Sequence, residues 1–143
     1  MTTAIDSNVL VSLWNADDAL NGEAVHALKM AAERGEMVIA APVYVEIRTP
    51  IDRDEAMVEQ FLRKTGIAVD WRLEERIWRE AATASHEYGR RRRGERHAKL
   101  PRRIAGDFVI GAHAMVRGHS LLTLDRRTFR ISFPSLQFAP ESS

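Results

Sequence analysis

The stretch Met37-Val38-Ile39-Ala40-Ala41-Pro42-Val43-Tyr44-Val45-Glu46-Ile47-Arg48, read together with residues 54–69, decides the fold class. Met37 to Ala40 is a short apolar run bounded by helical sequence, the pattern of a buried strand. Pro42 costs little in a first helical turn, where its missing N–H would have no partner, so Val43 to Arg48 reads as a short helix carrying Glu46. Residues 54 to 65 place Met57, Val58, Phe61 and Leu62 on one helical face; Gly66 ends that helix and Ile67-Ala68-Val69 is a strand again.

The same alternation extends outward. Before it, Thr3 to Ile5 forms a short strand that runs into Asp6-Ser7-Asn8, side chains suited to a helix start, and then the apolar face of Val9, Leu10, Leu13 and Trp14. A second helix spans about Leu20 to Arg34, with Gly35 as its stop. After it, a helix is predicted from Trp71 to about Tyr88, an apolar small-residue helix from Gly106 to Val116, a strand over Leu121 to Leu124 ending at Asp125, and a last strand over Leu136 to Phe138. Parallel neighbours need crossover connections, so strands separated by helices predict an α/β fold: a mostly parallel sheet with helices on both faces, in one domain over residues 1–143.

At 143 residues and 45% hydrophobic content the chain has the material for one real core. The absence of cysteine excludes disulfides, thiolate metal sites and a cysteine nucleophile, and is compatible with a reducing cytoplasm. No basic leader, signal-like apolar stretch or bilayer-length apolar run is present, so a soluble cytoplasmic protein with no membrane partner is expected. The net charge of +1 conceals an asymmetry: residues 90–103 hold eight Lys or Arg and one Glu, a local +7 that leaves −6 for the remainder. Arg90, Arg91, Arg92, Arg93, Arg96, Lys99, Arg102 and Arg103 therefore suit RNA contact, a solvated helix end being the plainer reading and a protein partner a further one.

In a sheet of this kind, function collects beyond the carboxyl ends of the strands. Asp6 closes the first strand, Glu46 follows the second and Asp125 closes the fourth; Asp107 reaches the same edge if it starts the apolar helix. Each has a plain alternative: Asp6 and Asp107 as helix caps, Asp125 as the start of a turn with Arg126, Glu46 as a surface acid. Four carboxylates within about 5 Å of each other would repel by roughly 3 kcal/mol per pair at an effective dielectric near 20, which a divalent cation removes. Oxygen donors without Cys or clustered His select a hard ion, Mg²⁺ or Mn²⁺, whose retained waters supply a nucleophile for phosphodiester hydrolysis. A receiver domain would need a late strand-end Lys, and a dehalogenase-like phosphatase an Asp-x-Asp on the first strand; Asn8 stands where the second Asp would be.

Asp6-Ser7-Asn8-Val9-Leu10, Val45-Glu46 after Pro42, Gly106-Asp107-Phe108-Val109-Ile110-Gly111-Ala112-His113-Ala114 and Leu122-Thr123-Leu124-Asp125-Arg126-Arg127-Thr128-Phe129 together resemble PIN-domain proteins, and among them the VapC toxins of bacterial toxin–antitoxin pairs. The resemblance spans nearly the whole chain. It implies a three-layer α/β/α sandwich, Mg²⁺- or Mn²⁺-dependent endoribonuclease activity leaving a 5′-phosphate and a 3′-hydroxyl, frequent homodimers, and a cognate antitoxin. It makes Asp6, Glu46, Asp107 and Asp125 the catalytic metal-binding acids, with Asp6 and Asp107 in direct contact and Glu46 and Asp125 acting through water. Ser7, Asn8 and Thr123 match supporting polar positions. The alternatives are a PIN nuclease of RNA processing rather than a toxin, or a non-catalytic nucleic-acid-binding module. His113, on an apolar helix, reads as a packing residue; Trp71 and Trp78, seven apart, read as core or dimer interface, with exposed aromatics for base stacking as the alternative.

Overall fold

A computed structural model describes residues 1–94 and 105–140. Four parallel strands form one sheet in the order β3-β2-β1-β4: β1 (Thr2–Ile5), β2 (Glu36–Ala40), β3 (Ile67–Asp70) and β4 (Ser120–Leu122). The register sets Ala4 opposite both Val38 and Leu121, and Ala40 opposite Asp70, so the carboxyl ends of the strands share one edge. Among the described residues the flanking helices are α1 (Ser7–Leu13), α2 (Asn21–Arg34), α3 (Ala41–Arg48), α4 (Glu55–Thr65), α5 (Glu75–Gly94), α6 (Ala105–Arg117) and α7 (Arg126–Ser132). The result is the expected three-layer α/β/α arrangement.

The core joins both layers to the sheet. Ile5, Ile39, Leu121 and Leu122 from the strands and Leu10, Ile47, Ile77 and Ile110 from the helices are fully buried, each such side chain contributing roughly 1.5–3 kcal/mol by leaving water. Local chemistry sets the helix ends: Asp54 accepts the Met57 N–H at 2.8 Å to start α4, and Gly66, at φ 74°, closes it in a left-handed conformation that costs other residues energy. Gly111 lets Phe133 lie against α6, since a β-carbon there would come within 2.3 Å of the ring.

Three expectations needed correction. The helix predicted from Trp71 begins only at Glu75, because the Asp70 carboxylate accepts the Arg72 N–H at 3.2 Å and turns the chain first; Trp71 therefore lies outside the helix. The fourth strand ends at Leu122 rather than Leu124: the Leu124 N–H goes to the Asn8 side chain at 3.3 Å and the Asp125 N–H to Thr123 Oγ1 at 3.1 Å, so neither continues the ladder. Asp125 instead precedes α7, a seven-residue helix too short for its periodicity to be read. Residues 136–138 make a single parallel bridge, Phe138 to Leu121, rather than a full strand.

His113 is buried and packs as expected, its Nε2 2.9 Å from Asp70 Oδ2. Arg117 donates to Asp70, Glu74 and the Arg72 carbonyl, so the end of α6 fixes the segment between β3 and α5. Among the described residues no helix is long and apolar enough to cross a membrane.

Candidate active site

The strand order changes direction between β1 and β4: the chain steps outward from β1 to β2 and β3, then returns to pair β4 on the other side of β1. Such a reversal opens a crevice at the carboxyl edge, since the connections on its two sides diverge. Asp6, one residue past β1, and Thr123, one residue past β4, stand at its mouth.

Asp6 occupies the cap position of α1, but its side chain makes no capping hydrogen bond. The plain capping role is therefore not the one it plays. Its Oδ2 accepts the Thr123 hydroxyl at 2.8 Å, and the carboxyl group is almost wholly buried. Thr123 Oγ1 also accepts from Asn8 Nδ2 at 3.3 Å and from the Asp125 N–H at 3.1 Å, which uses the full donor and acceptor capacity of one hydroxyl. Ser7 donates to Glu46 Oε2 at 2.5 Å and lies 3.5 Å from Asp6 Oδ1, so one hydroxyl sits between the two acids. Ser7, Asn8 and Thr123 thus link the side chains at this edge through hydrogen bonds.

Glu46 reaches this edge because α3 starts directly after β2, with Pro42 in its first turn. Asp107 arrives in the first turn of α6. Gly106 makes their approach feasible: a β-carbon there would lie 2.7 Å from Glu46 Oε1. Burial pushes the Asp6 carboxyl up to about 7; the Thr123 hydroxyl opposes that rise, and the charges of Asp107 and Glu46 add to it. Glu46 is also raised, first by burial, against the pull of Ser7 and with the charge of Asp107. Three acids therefore feel one another across the crevice.

Asp125 joins less directly. Its N–H is tied to Thr123, its Oδ2 accepts the Thr128 hydroxyl at 2.8 Å, and Thr128 lines a small crevice together with Asp107. Among the described residues no group of three or more His, Asp or Glu side chains is arranged to hold a metal ion, so the single tight cage expected of four carboxylates is here a looser acidic pocket. Its donors nonetheless fit a hard divalent cation: they are all oxygen, and among the described residues no cation offsets the charge that burial disfavours on Asp6.

Gly106 and Thr128 were not singled out as site residues in the sequence. Asp125-x-x-Thr128 has the spacing of a helix-start hydrogen bond, a signal present but unread, whereas the part played by Gly106 depends on a contact with a residue sixty positions away. Of the basic residues, Arg91 to Arg93 lie in the last turn of α5 and Arg90 just before it, bonded to Glu87 at 2.7 Å; Arg96, Lys99, Arg102 and Arg103 lie outside the described residues. Trp71 and Trp78 are exposed, at 61% and 49%, which overturns the core reading and leaves the dimer-interface and base-stacking readings standing.

Comparison with known proteins agrees with this architecture. Similar solved structures include VapBC2 from Rickettsia felis bound to a DNA fragment from their promoter (18% identity, TM-score 0.58, 96% of this chain and 97% of that chain covered). VapBC-1 from nontypeable Haemophilus influenzae is similar at 19% identity and TM-score 0.58, over 99% and 98% of the two chains. FitAcB from Neisseria gonorrhoeae is similar at 16% identity and TM-score 0.63, over 97% of each. At these identities the likeness concerns the fold. A search of curated proteins finds no match. The PIN domain family matches residues 3–134, nearly the whole chain, and the protein belongs to that family.

Proposed function

We propose that the protein is an Mg²⁺- or Mn²⁺-dependent endoribonuclease and the toxin of a toxin–antitoxin pair, acting in the cytoplasm as a homodimer. One observation carries the nuclease reading: Asp6 is buried with two further acids close enough to raise its pKa, an arrangement that is costly for stability and useful for binding a cation. Membership of the PIN domain family and the fold shared with the VapBC and FitAcB structures support the toxin reading.

Asp6 and Asp107 are the residues that would contact the ion, with Glu46 and Asp125 acting through water. An Mg²⁺ or Mn²⁺ ion held by these acids would supply Lewis-acid chemistry, activating water for attack and offsetting charge on the phosphate. The chain's own part is positional. Thr123 fixes one oxygen of Asp6, Ser7 holds Glu46, and Thr128 orients Asp125, so the acids face the crevice before substrate arrives. The cations of the last turn of α5 guide the RNA backbone by neutralising phosphates.

The test is RNA cleavage by purified protein with and without Mg²⁺ or Mn²⁺, beside Asp6→Ala and Asp107→Ala. Cleavage that requires the ion and falls at least about 100-fold in both variants is expected. Undiminished cleavage in both would defeat the assignment, and RNA binding without cleavage would mark a binding module. Growth arrest on expression, relieved by a small neighbouring gene, separates a toxin from a nuclease of RNA processing.

A further inference from the structure

Directly beside the acidic pocket lies an open cleft of about 570 Å³, walled by Val45, Glu46, Trp71, Leu73, Trp78 and Gly106. Glu46 and Gly106 belong to the acidic site as well, so cleft and crevice are continuous. The other walls are apolar, and Val45, Trp71 and Trp78 are 64%, 61% and 49% exposed.

Each indole is anchored by a contact on one side. Trp78 donates its Nε1–H to the Leu73 carbonyl at 3.1 Å, which holds one edge of the ring down. Trp71 meets Tyr44 edge-to-face at 4.9 Å, and Tyr44 is itself held by donating its hydroxyl to Glu59 at 3.0 Å. Two anchored, water-facing aromatic rings next to the proposed cleavage site have the chemistry of a stacking platform, because every nucleobase presents a π-face.

We infer that this cleft is a nucleobase subsite, in which Trp71 and Trp78 grip an unpaired base of the RNA next to the phosphate at the acids. The inference rests on the nuclease reading for the identity of the polymer, and it favours a substrate single-stranded at that nucleotide, since extruding a paired base costs a few kcal/mol of lost pairing and stacking. Continuity with the acids favours a base over a protein side chain: Glu46 and Gly106 wall the cleft and also belong to the acidic site, so a nucleotide whose phosphate lies at the acids sets a neighbouring base toward the exposed indoles. The Glu46 carboxylate on the shared wall can accept from an exocyclic amino group, which favours cytosine, adenine or guanine over uracil.

The experiment uses the full-length protein with metal withheld by a chelator, titrated with short single-stranded RNAs while indole fluorescence is followed. Each oligonucleotide is compared with one carrying an abasic site at a single position and with its duplex. Expected are quenching by single strands, a roughly 5- to 150-fold weaker Kd at one abasic position, and a similar weakening in Trp71→Ala and Trp78→Ala with recovery in Trp71→Phe and Trp78→Phe. Circular dichroism of the variants checks that these surface changes leave the fold intact. Equal Kd for abasic, duplex and intact RNA, or unchanged Kd in both alanine variants, would overturn the subsite. Unchanged RNA affinity together with loss of dimer in ultracentrifugation, or with loss of a co-expressed protein, would assign the cleft to that partner instead and equally overturn it. The two readings fail separately: Asp6→Ala tests cleavage without touching the cleft, and the tryptophan variants test base binding without touching the acids.

Discussion

Asp6 carries opposite demands on stability and function. Its folded pKa, about 7, lies above the 3.8 of the free side chain, so its contribution to stability is greatest below pH 3.8 and is lost as pH rises toward 7. The shift amounts to roughly 4 kcal/mol at alkaline pH as an upper figure. Asp6→Asn keeps the acceptor for Thr123 and removes the charge. At pH 7.5 in chelator, it is expected to raise the thermal midpoint while abolishing cleavage, and an unchanged or lowered midpoint would contradict the electrostatic account. His113 works in the reverse sense. Burial lowers its pKa below 6.5 despite the Asp70 carboxylate, so the folded protein keeps it neutral where the unfolded chain takes up a proton. Asp70 itself is held below 3.8, since hydrogen bonds from His113 and Arg117 outweigh the upward effect of its partial burial. The contribution of His113 is complete above pH 6.5 and is lost as pH falls through its lowered value. Urea denaturation of wild type and His113→Gln should therefore show a stability difference that shrinks from pH 7 to pH 5. Taking the difference isolates His113 from Asp6, whose effect over that range has the opposite sign.

At the scale of elements, the site exists because the starts of α1, α3 and α6 converge on one sheet edge. Gly106 governs the closest of these approaches. In Gly106→Ala the new methyl group meets the mobile end of the Glu46 side chain rather than backbone, so the carboxylate moves and the helix survives. Because alanine favours a helix by up to about 1 kcal/mol over glycine, stability should be unchanged or slightly higher while cleavage falls about tenfold or more. Calorimetry and an RNA cleavage assay on the same preparation check both parts; full activity would show that Glu46 need not stand where it does. The elements themselves were largely legible. The apolar run at 37–40, the Pro42 start and the Gly66 stop carry their structure in neighbouring residues, and β2, α3 and α4 form there. The start of α5 and the end of β4 were misjudged for one reason: in both, a side-chain acceptor, Asp70 or Asn8, takes a backbone N–H that the regular element would have used.

For the whole molecule, the acidic pocket predicts linkage between ion binding and folding. A cation that binds the folded site and not the unfolded chain stabilises it by about 2.7 kcal/mol at 100 times its Kd, several degrees for a domain of this size. Mg²⁺ or Mn²⁺ should raise the thermal midpoint of wild type and leave that of Asp6→Asn almost unmoved. A wild-type midpoint indifferent to millimolar amounts of both ions would sink the metal assignment. The sequence alone determined the alternation of strands and helices and the parallel sheet, because periodicity, proline and glycine act over a few residues. Only the tertiary structure decided that Asp6, Glu46 and Asp107 share one field, that Asp125 attaches through Thr123 and Thr128, and that two tryptophans face water beside them. Those facts depend on contacts between residues far apart in the chain, and no local pattern encodes the distance or the burial that sets their strength.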